Sequence, residues 1–265
     1  MNKIIVVKIG GSTLGQHDTS LEDLVELRKR GIAVVVVHGG GKIVTRWLAE
    51  KGAEARFVQG ERVTDQAGLE IVTAVLAGLV NKELVASINN YGGQAIGISG
   101  VDGALLQGKI KNQELGFVGN LVKVNIGLLR MLLEAGYIPV VSSISLNVGR
   151  NLKDHPLLLN VNADAAAGEI AATLGAEKLI FLTDIAGVCD KSGKLLSKLA
   201  VSEAEASITS GVASGGMIPK IRAGIRALDG VRETRIIDGR QPHALLKEIE
   251  DGAGGTTIYR ENIKR

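Results

Sequence analysis

The chain has 265 residues, a net charge of +3 and a charged fraction of 22%, which suits one large α/β domain or two fused lobes and gives no electrostatic case for a nucleic-acid partner. Aromatic residues make up 3%, so there are few platforms on which bases could stack. Cys189 is the single cysteine, so no intramolecular disulfide can form; this, with a strand pattern that begins without a signal peptide, leads us to expect a cytoplasmic protein.

Residues 4–8 are a β-branched run ending at Gly10 and Gly11, and leucines at helical spacing follow over 21–30. Residues 32–37 form an uninterrupted apolar run, the pattern of a parallel strand covered on both faces, which leads into His38-Gly39-Gly40-Gly41 and a helix over 43–51. Alternation around Gly60 predicts a hairpin over 56–63. The stretch 69–88 is the most apolar, but Asn81, Lys82 and Glu83 interrupt it. It falls short of the roughly 20 apolar residues a bilayer requires and reads as a buried helix.

Further strands are expected at 94–98 and 138–141, separated by a glycine-rich hairpin over 105–124 and a helix over 126–134. A polar loop over 147–155 precedes a helix at 163–174 and a strand at 178–183, which ends at Asp184-Ile185-Ala186-Gly187. Helices at 202–210, 217–228 and 243–250 and a strand at 234–237 complete the chain. Strands alternate with helices, which predicts an α/β fold with a mainly parallel sheet, its two lobes sharing that sheet. The 35 glycines cluster at strand ends, where ligands of such sheets bind and where bare backbone can approach an anion.

Lys8-Ile9-Gly10-Gly11 sets a cation at a strand end beside a glycine turn, a combination that suits a phosphate, though a surface lysine before a tight turn reads the same way. The second cluster, at His38, has more glycine than a turn needs. Two anion sites on one sheet imply a donor and an acceptor. His38 is expected to orient its loop rather than titrate. Neither cluster has the spacing of a Walker-A loop or of a dinucleotide fingerprint. Arg62 alone reads equally as a solvated hairpin arginine, and Asp164 alone as a helix-entry cap.

Seven strings carry a more specific likeness: Lys8-Ile9-Gly10-Gly11, His38-Gly39-Gly40-Gly41-Lys42, Arg56-Phe57-Val58 with Gly60-Glu61-Arg62-Val63-Thr64, Asn160-Val161-Asn162-Ala163-Asp164, Thr183-Asp184, Gly215-Gly216-Met217-Ile218-Pro219-Lys220 and Ile237-Asp238-Gly239-Arg240. In this order, over essentially the whole chain, they resemble those of the acetylglutamate kinases of the amino-acid-kinase family. The resemblance implies a three-layer αβα sandwich with a mainly parallel central sheet, as in carbamate kinase, in a single domain over residues 1–265. Its amino-terminal lobe, about 1–175, would bind the acyl amino acid and form a homodimer contact; its carboxyl-terminal lobe, about 176–265, would bind ATP.

Carried onto this sequence, the resemblance places Lys8 and Lys220 around the transferring phosphoryl group, with Asp164 orienting both. Gly10 and Gly11 would donate to the ATP phosphates, and Gly40 and Gly41 to the attacking carboxylate. Arg62 would grip the α-carboxylate of N-acetyl-L-glutamate, Asn160 would complete its recognition, and Thr183 and Asp184 would line the nucleoside pocket. Mg2+ is expected to ride on the ATP phosphates with no protein ligand. The nearest alternative is a related kinase acting on aminoadipate or glutamate linked to a carrier protein; the third glycine, Gly41, and the string at Asn160 argue for the free substrate. A non-catalytic amino-acid sensor on the same fold is disfavoured by the joint presence of Lys8, Asp164 and Lys220. Arginine-inhibited members of the family resemble one another in a helix ahead of the first strand, and the short lead here sets the expectation of a dimer insensitive to arginine.

Overall fold

The computed structural model describes residues 3–10, 19–58, 60–149, 156–252 and 254–261. β1 (Ile4–Ile9), α1 (Ser20–Lys29), β2 (Ala33–His38) and α2 (Gly41–Glu50) are followed by the hairpin of β3 (Phe57–Val58) and β4 (Glu61–Arg62). One continuous helix then runs through α3 (Gln66–Thr73), a π-helical stretch (Ala74–Val80) and α4 (Asn81–Asn90). β5 (Ala95–Ser99), β6 (Leu106–Ile110), β7 (Gly119–Val124), α5 (Gly127–Glu134), β8 (Ile138–Ser142), β9 (Ile144–Asn147) and β10 (Leu158–Asn160) come next. The chain closes with α6 (Ala163–Leu174), β11 (Lys178–Thr183), β12 (Lys198–Ala200), α7 (Val201–Thr209), α8 (Met217–Ala227), β13 (Glu233–Asp238), α9 (Ala244–Asp251) and β14 (Thr256–Tyr259).

The central sheet of the described residues has the order β12-β14-β13-β11-β1-β2-β8-β5. Pairing is parallel from β13 to β5; β14 runs antiparallel to β13 and carries β12 with it. The apolar runs sit in the middle because β-branched residues covered on both faces need no polar alternation. Ile5, Val7 and Ile9 of β1 enter the core formed with α1, the helix Gln66–Asn90 and α9, whereas Val6 enters the opposite core under α6 and α8. The result is the three-layer αβα sandwich anticipated from the sequence.

One feature differs from the sequence reading and another agrees with it. The expected peripheral hairpin, β6–β7, recruits β9 and β10 into a separate sheet of order β10-β9-β6-β7. The apolar stretch over 69–88, expected to be a buried helix, is one: it belongs to a single helix of 25 residues, Gln66–Asn90, whose most apolar 18-residue window has a mean hydropathy of 1.7, enough in length and composition to cross a bilayer. Its inward residues Leu69, Val72, Val75, Val80, Leu84 and Ile88 instead fill the protein core, so it is a core helix. Residues 150–155 of the predicted polar loop lie outside the described residues.

Candidate active site

Lys8 shares the face of β1 that carries Val6, in register with Val37 and Phe181, and so points toward α6. The first turn of α6 supplies its partner. Asn162 caps this helix, its side-chain oxygen accepting from the backbone N–H groups of Asp164 (2.9 Å) and Ala165 (3.1 Å). The helix-entry cap is therefore Asn162 and not Asp164, whose carboxylate is left to bind cations. The Lys8 ammonium lies 2.8 Å from Oδ1 of Asp164 and the Lys220 ammonium 3.3 Å from Oδ2. Lys220, in the first turn of α8, also donates to the carbonyl of Gly216.

Lys8 is 6% exposed and Asp164 5%. Burial by itself would raise the pKa of Asp164, but Lys8 and Lys220 outweigh it and hold the carboxyl below its usual range; the positive end of α6 acts in the same sense. Burial lowers the pKa of Lys220, with Asp164 opposing it and Lys8 reinforcing it. The three groups form a triad, buried at Lys8 and Asp164 and partly exposed at Lys220, in which two ammonium groups share one carboxylate. That leaves an excess of positive charge for a third, anionic party.

Beside the triad is the glycine loop after β2. The N-cap of α2 is Gly40, which offers no side-chain cap, and the first N–H groups of a helix have no intrahelical acceptor. Arg62 reaches this helix start from β4: its Nη2 donates to the carbonyl of Gly41 (3.0 Å) and the hydroxyl of Thr45 (2.8 Å). The guanidinium lies over the Phe57 ring, 4.7 Å from its centroid. Its other terminal nitrogen, Nη1, is buried and has no hydrogen-bond partner among the described residues, a costly state unless a ligand accepts from it. Asn160 donates from Nδ2 to the Thr64 hydroxyl at 3.0 Å.

A cavity of about 180 Å³ unites Lys8, Gly40, Gly41, Arg62, Asn160 and Asp164. Lys220 joins this group through Asp164. Gly10, Thr183 and Asp184 lie at the carboxyl ends of the neighbouring strands, Gly10 donating to Leu182 at 3.3 Å and Gly239 to the carbonyl of Thr183 at 2.8 Å. No described contact brings Thr183 to the cavity, while Asp184 is near enough to act electrostatically on Lys220. Gly11 lies outside the described residues.

Sequence reasoning overlooked Asn162 as a cap, although an asparagine directly before an apolar helical run is an N-terminal signal. It also gave no role to Phe57. His38 is fully buried, and burial above all, with Lys8 adding to it, lowers its pKa to about 4; it is a neutral ring that holds its loop, as expected.

Residues 3–238 match the model of the amino acid kinase family. The chain is similar to an acetylglutamate kinase from Dehalococcoides mccartyi, 46% identical over 264 residues that cover 100% of this chain and 97% of the relative. It is likewise similar to an acetylglutamate kinase from Cereibacter sphaeroides, 45% identical over 99% of this chain and 89% of the relative. Among solved structures, smu.665 from Streptococcus mutans UA159 superposes with a TM-score of 0.85 at 27% identity, covering 98% of this chain and 100% of its own. With a family match that starts before Lys8 and ends at Asp238, and relatives alike from end to end, the chain belongs to the amino acid kinase family.

Proposed function

We propose that the protein transfers the γ-phosphoryl group of ATP to the side-chain carboxylate of N-acetyl-L-glutamate, giving N-acetyl-L-glutamyl 5-phosphate and ADP in arginine biosynthesis. The observation that carries this reading is the buried Lys8–Asp164 pair, joined through Asp164 to Lys220, opening on the same cavity as an uncapped helix start and a half-partnered arginine. Likeness to acetylglutamate kinases over the whole chain supports the choice of acceptor.

The acceptor carboxylate is already ionised at neutral pH, so the reaction needs no general base. One of its oxygens attacks the γ-phosphorus; the bond to the β–γ bridging oxygen breaks, and its electron pair leaves with ADP. Negative charge spreads over the equatorial oxygens in flight, and preorganised cations stabilise it. Lys8 would face the moving group and Lys220 the nucleotide side, with Asp164 fixing the position of both. Gly40 and Gly41 would present N–H groups to the acceptor carboxylate. Arg62 would close on the α-carboxylate through Nη1, completing the fork that suits a carboxylate. Asn160 would hold the acetamide end.

Gly10 and Gly11 would donate to the ATP phosphates, with Thr183 and Asp184 toward the nucleoside. Both oxygens of Asp164 face ammonium groups, so this carboxylate is not offered to a metal, and Mg2+ would neutralise the phosphates while carried on them. On the same reading the lobes about 1–175 and 176–265 hold the acyl amino acid and ATP. The protein is a cytoplasmic homodimer that pairs through its amino-terminal lobe.

Hydroxylamine trapping of the acyl phosphate, compared among acetylglutamate, free glutamate and acetylaminoadipate, tests the reading. ATP-dependent hydroxamate should form with acetylglutamate far above the other two. No hydroxamate with any free acid, but turnover of a carrier-linked one, would transfer the assignment to the carrier-dependent kinase.

A further inference from the structure

The glycine loop is fixed from below by a residue outside the cavity. Asn81 follows the π-helical stretch at once and is 0% exposed. The two hydrogens of its Nδ2 serve Val140 O of β8 (2.9 Å) and Nε2 of His38 at the end of β2 (3.1 Å), with Ile98 O of β5 a third acceptor within reach at 3.3 Å. Its oxygen accepts from Lys82. A side chain at Gly97 would collide with that oxygen, so the strand beside it is kept bare where Asn81 enters.

His38 passes the constraint on. With Nε2 accepting from Asn81, the proton of the neutral ring sits on Nδ1, which donates to the carbonyl of Gly39 at 2.9 Å. The same helix presses on the loop directly. A Cβ at Gly40 would come within 2.6 Å of Leu76 Cδ2 and 3.3 Å of Val80 Cγ2, so the π-helical stretch and the loop are in close contact. The wider π turn brings Leu76 and Val80 against Gly40 while placing Asn81 under His38.

We infer that Asn81 is a positioning residue that acts through His38 to hold Gly39–Gly41, and with them the N–H groups at the start of α2, in the geometry that binds the acceptor carboxylate. This inference rests on the proposed role of the glycine loop. Asn81 touches neither substrate nor reacting atoms, and because its amide nitrogen is directed at β2, β5 and β8, its effect is expected chiefly on the acceptor side.

The test is steady-state kinetics on Asn81→Ala, His38→Leu, His38→Gln and Gly41→Ala, with unfolding curves alongside. Asn81→Ala removes the donor and His38→Leu the acceptor. Each should raise KM for acetylglutamate at least tenfold and KM for ATP less than threefold, and the double variant should be no worse than the poorer single one, because both break one chain of contacts. His38→Gln retains an acceptor oxygen and should recover KM to within about threefold of the parent, which a purely structural loss would not allow. Parallel rises in both Michaelis constants, or a KM for acetylglutamate within twofold of the parent in both variants, would overturn the inference. Where Asn81→Ala does not fold, the contrast between His38→Leu and His38→Gln decides the matter.

Gly41→Ala separates this inference from the reading beneath it. Its new methyl meets only Nη2 of Arg62, at 3.9 Å. An unchanged KM for acetylglutamate in Gly41→Ala would remove the glycine loop from substrate binding. A raised KM there with unchanged values in the Asn81 and His38 variants would remove only Asn81.

Discussion

At Asp164 a single carboxylate holds two lysines in a space that water hardly reaches. Losing one preorganised charge contact of this kind costs about 3–4 kcal/mol of transition-state stabilisation, so Lys8→Ala and Lys220→Ala are each expected to lower kcat by about two to three orders of magnitude. A variant that keeps more than about a tenth of the parental turnover would remove that lysine from the reaction. Lys8 was only half legible in the sequence, because a lysine before a glycine turn reads equally well as a surface residue; the fold shows it buried against Asp164. The task of Asp164 was not legible from its position alone, since Asn162 and Asp164 both stand at a helix entry and only the fold shows which one caps. His38 differs in that its titration is lost on folding. Its pKa falls from 6.5 to about 4, so between those values the unfolded chain binds a proton that the folded one refuses, and stability falls as the solution is acidified. Over that window the parent should lose on the order of 3 kcal/mol more than His38→Gln, read from urea unfolding at a series of pH values.

The triad depends on how closely α6 and α8 approach. A Cβ at Gly168 would lie 2.7 Å from the carbonyl oxygen of Ala223, so bare glycine sets the spacing of this helix pair there, and one at Gly230, in the turn after α8, would run into the backbone of Ala172. Gly168 is one turn beyond Asp164, and Ala223 almost one turn beyond Lys220. Gly168→Ala must therefore part the helices where they hold the ion pair. The expected cost is about 1–3 kcal/mol of stability, typical of overpacking, together with a fall in kcat that Asp164 and Lys220 themselves do not cause. Unfolding in urea and turnover at saturating substrates measure the two effects, and an unchanged kcat would show that the triad tolerates a wider spacing. Long elements were readable in advance: the helix at 163–174 and the strand at 178–183 stand where periodicity and burial put them. The three- and four-residue strands β9, β10, β12 and β14 were not, because so few residues carry no period and their pairing is decided by distant partners. The π-helical stretch was equally hidden, since one widened turn leaves the apolar spacing of a helix almost unchanged.

Across the whole molecule, the two proposed lobes meet along the pairing of β1 with β11, which runs from Ile5–Lys178 to Ile9–Leu182. Neither core stops at that line. On one face Val6, Val35 and Leu129 pack in a single cluster with Phe181, Ile221 and Ile258; on the other Leu24 and Val34 pack with Ile180, Leu182 and Leu245. Opening either lobe alone would expose strand edges and apolar surface on the other, so the lobes should unfold together as one cooperative unit. Trp47 is the single tryptophan of the chain and lies on α2, so its fluorescence reports the amino-terminal lobe alone, whereas far-ultraviolet circular dichroism reports both. The two signals should trace the same urea transition with the same midpoint. Acetylglutamate, whose proposed contacts with Gly40, Gly41, Arg62 and Asn160 all lie in the amino-terminal lobe, should move both midpoints upward by the same amount, because a ligand that binds only the folded state stabilises every part that unfolds with its site. A fluorescence transition at lower urea than the dichroism transition, or a ligand that shifts only the first, would show two separately unfolding lobes despite the shared sheet.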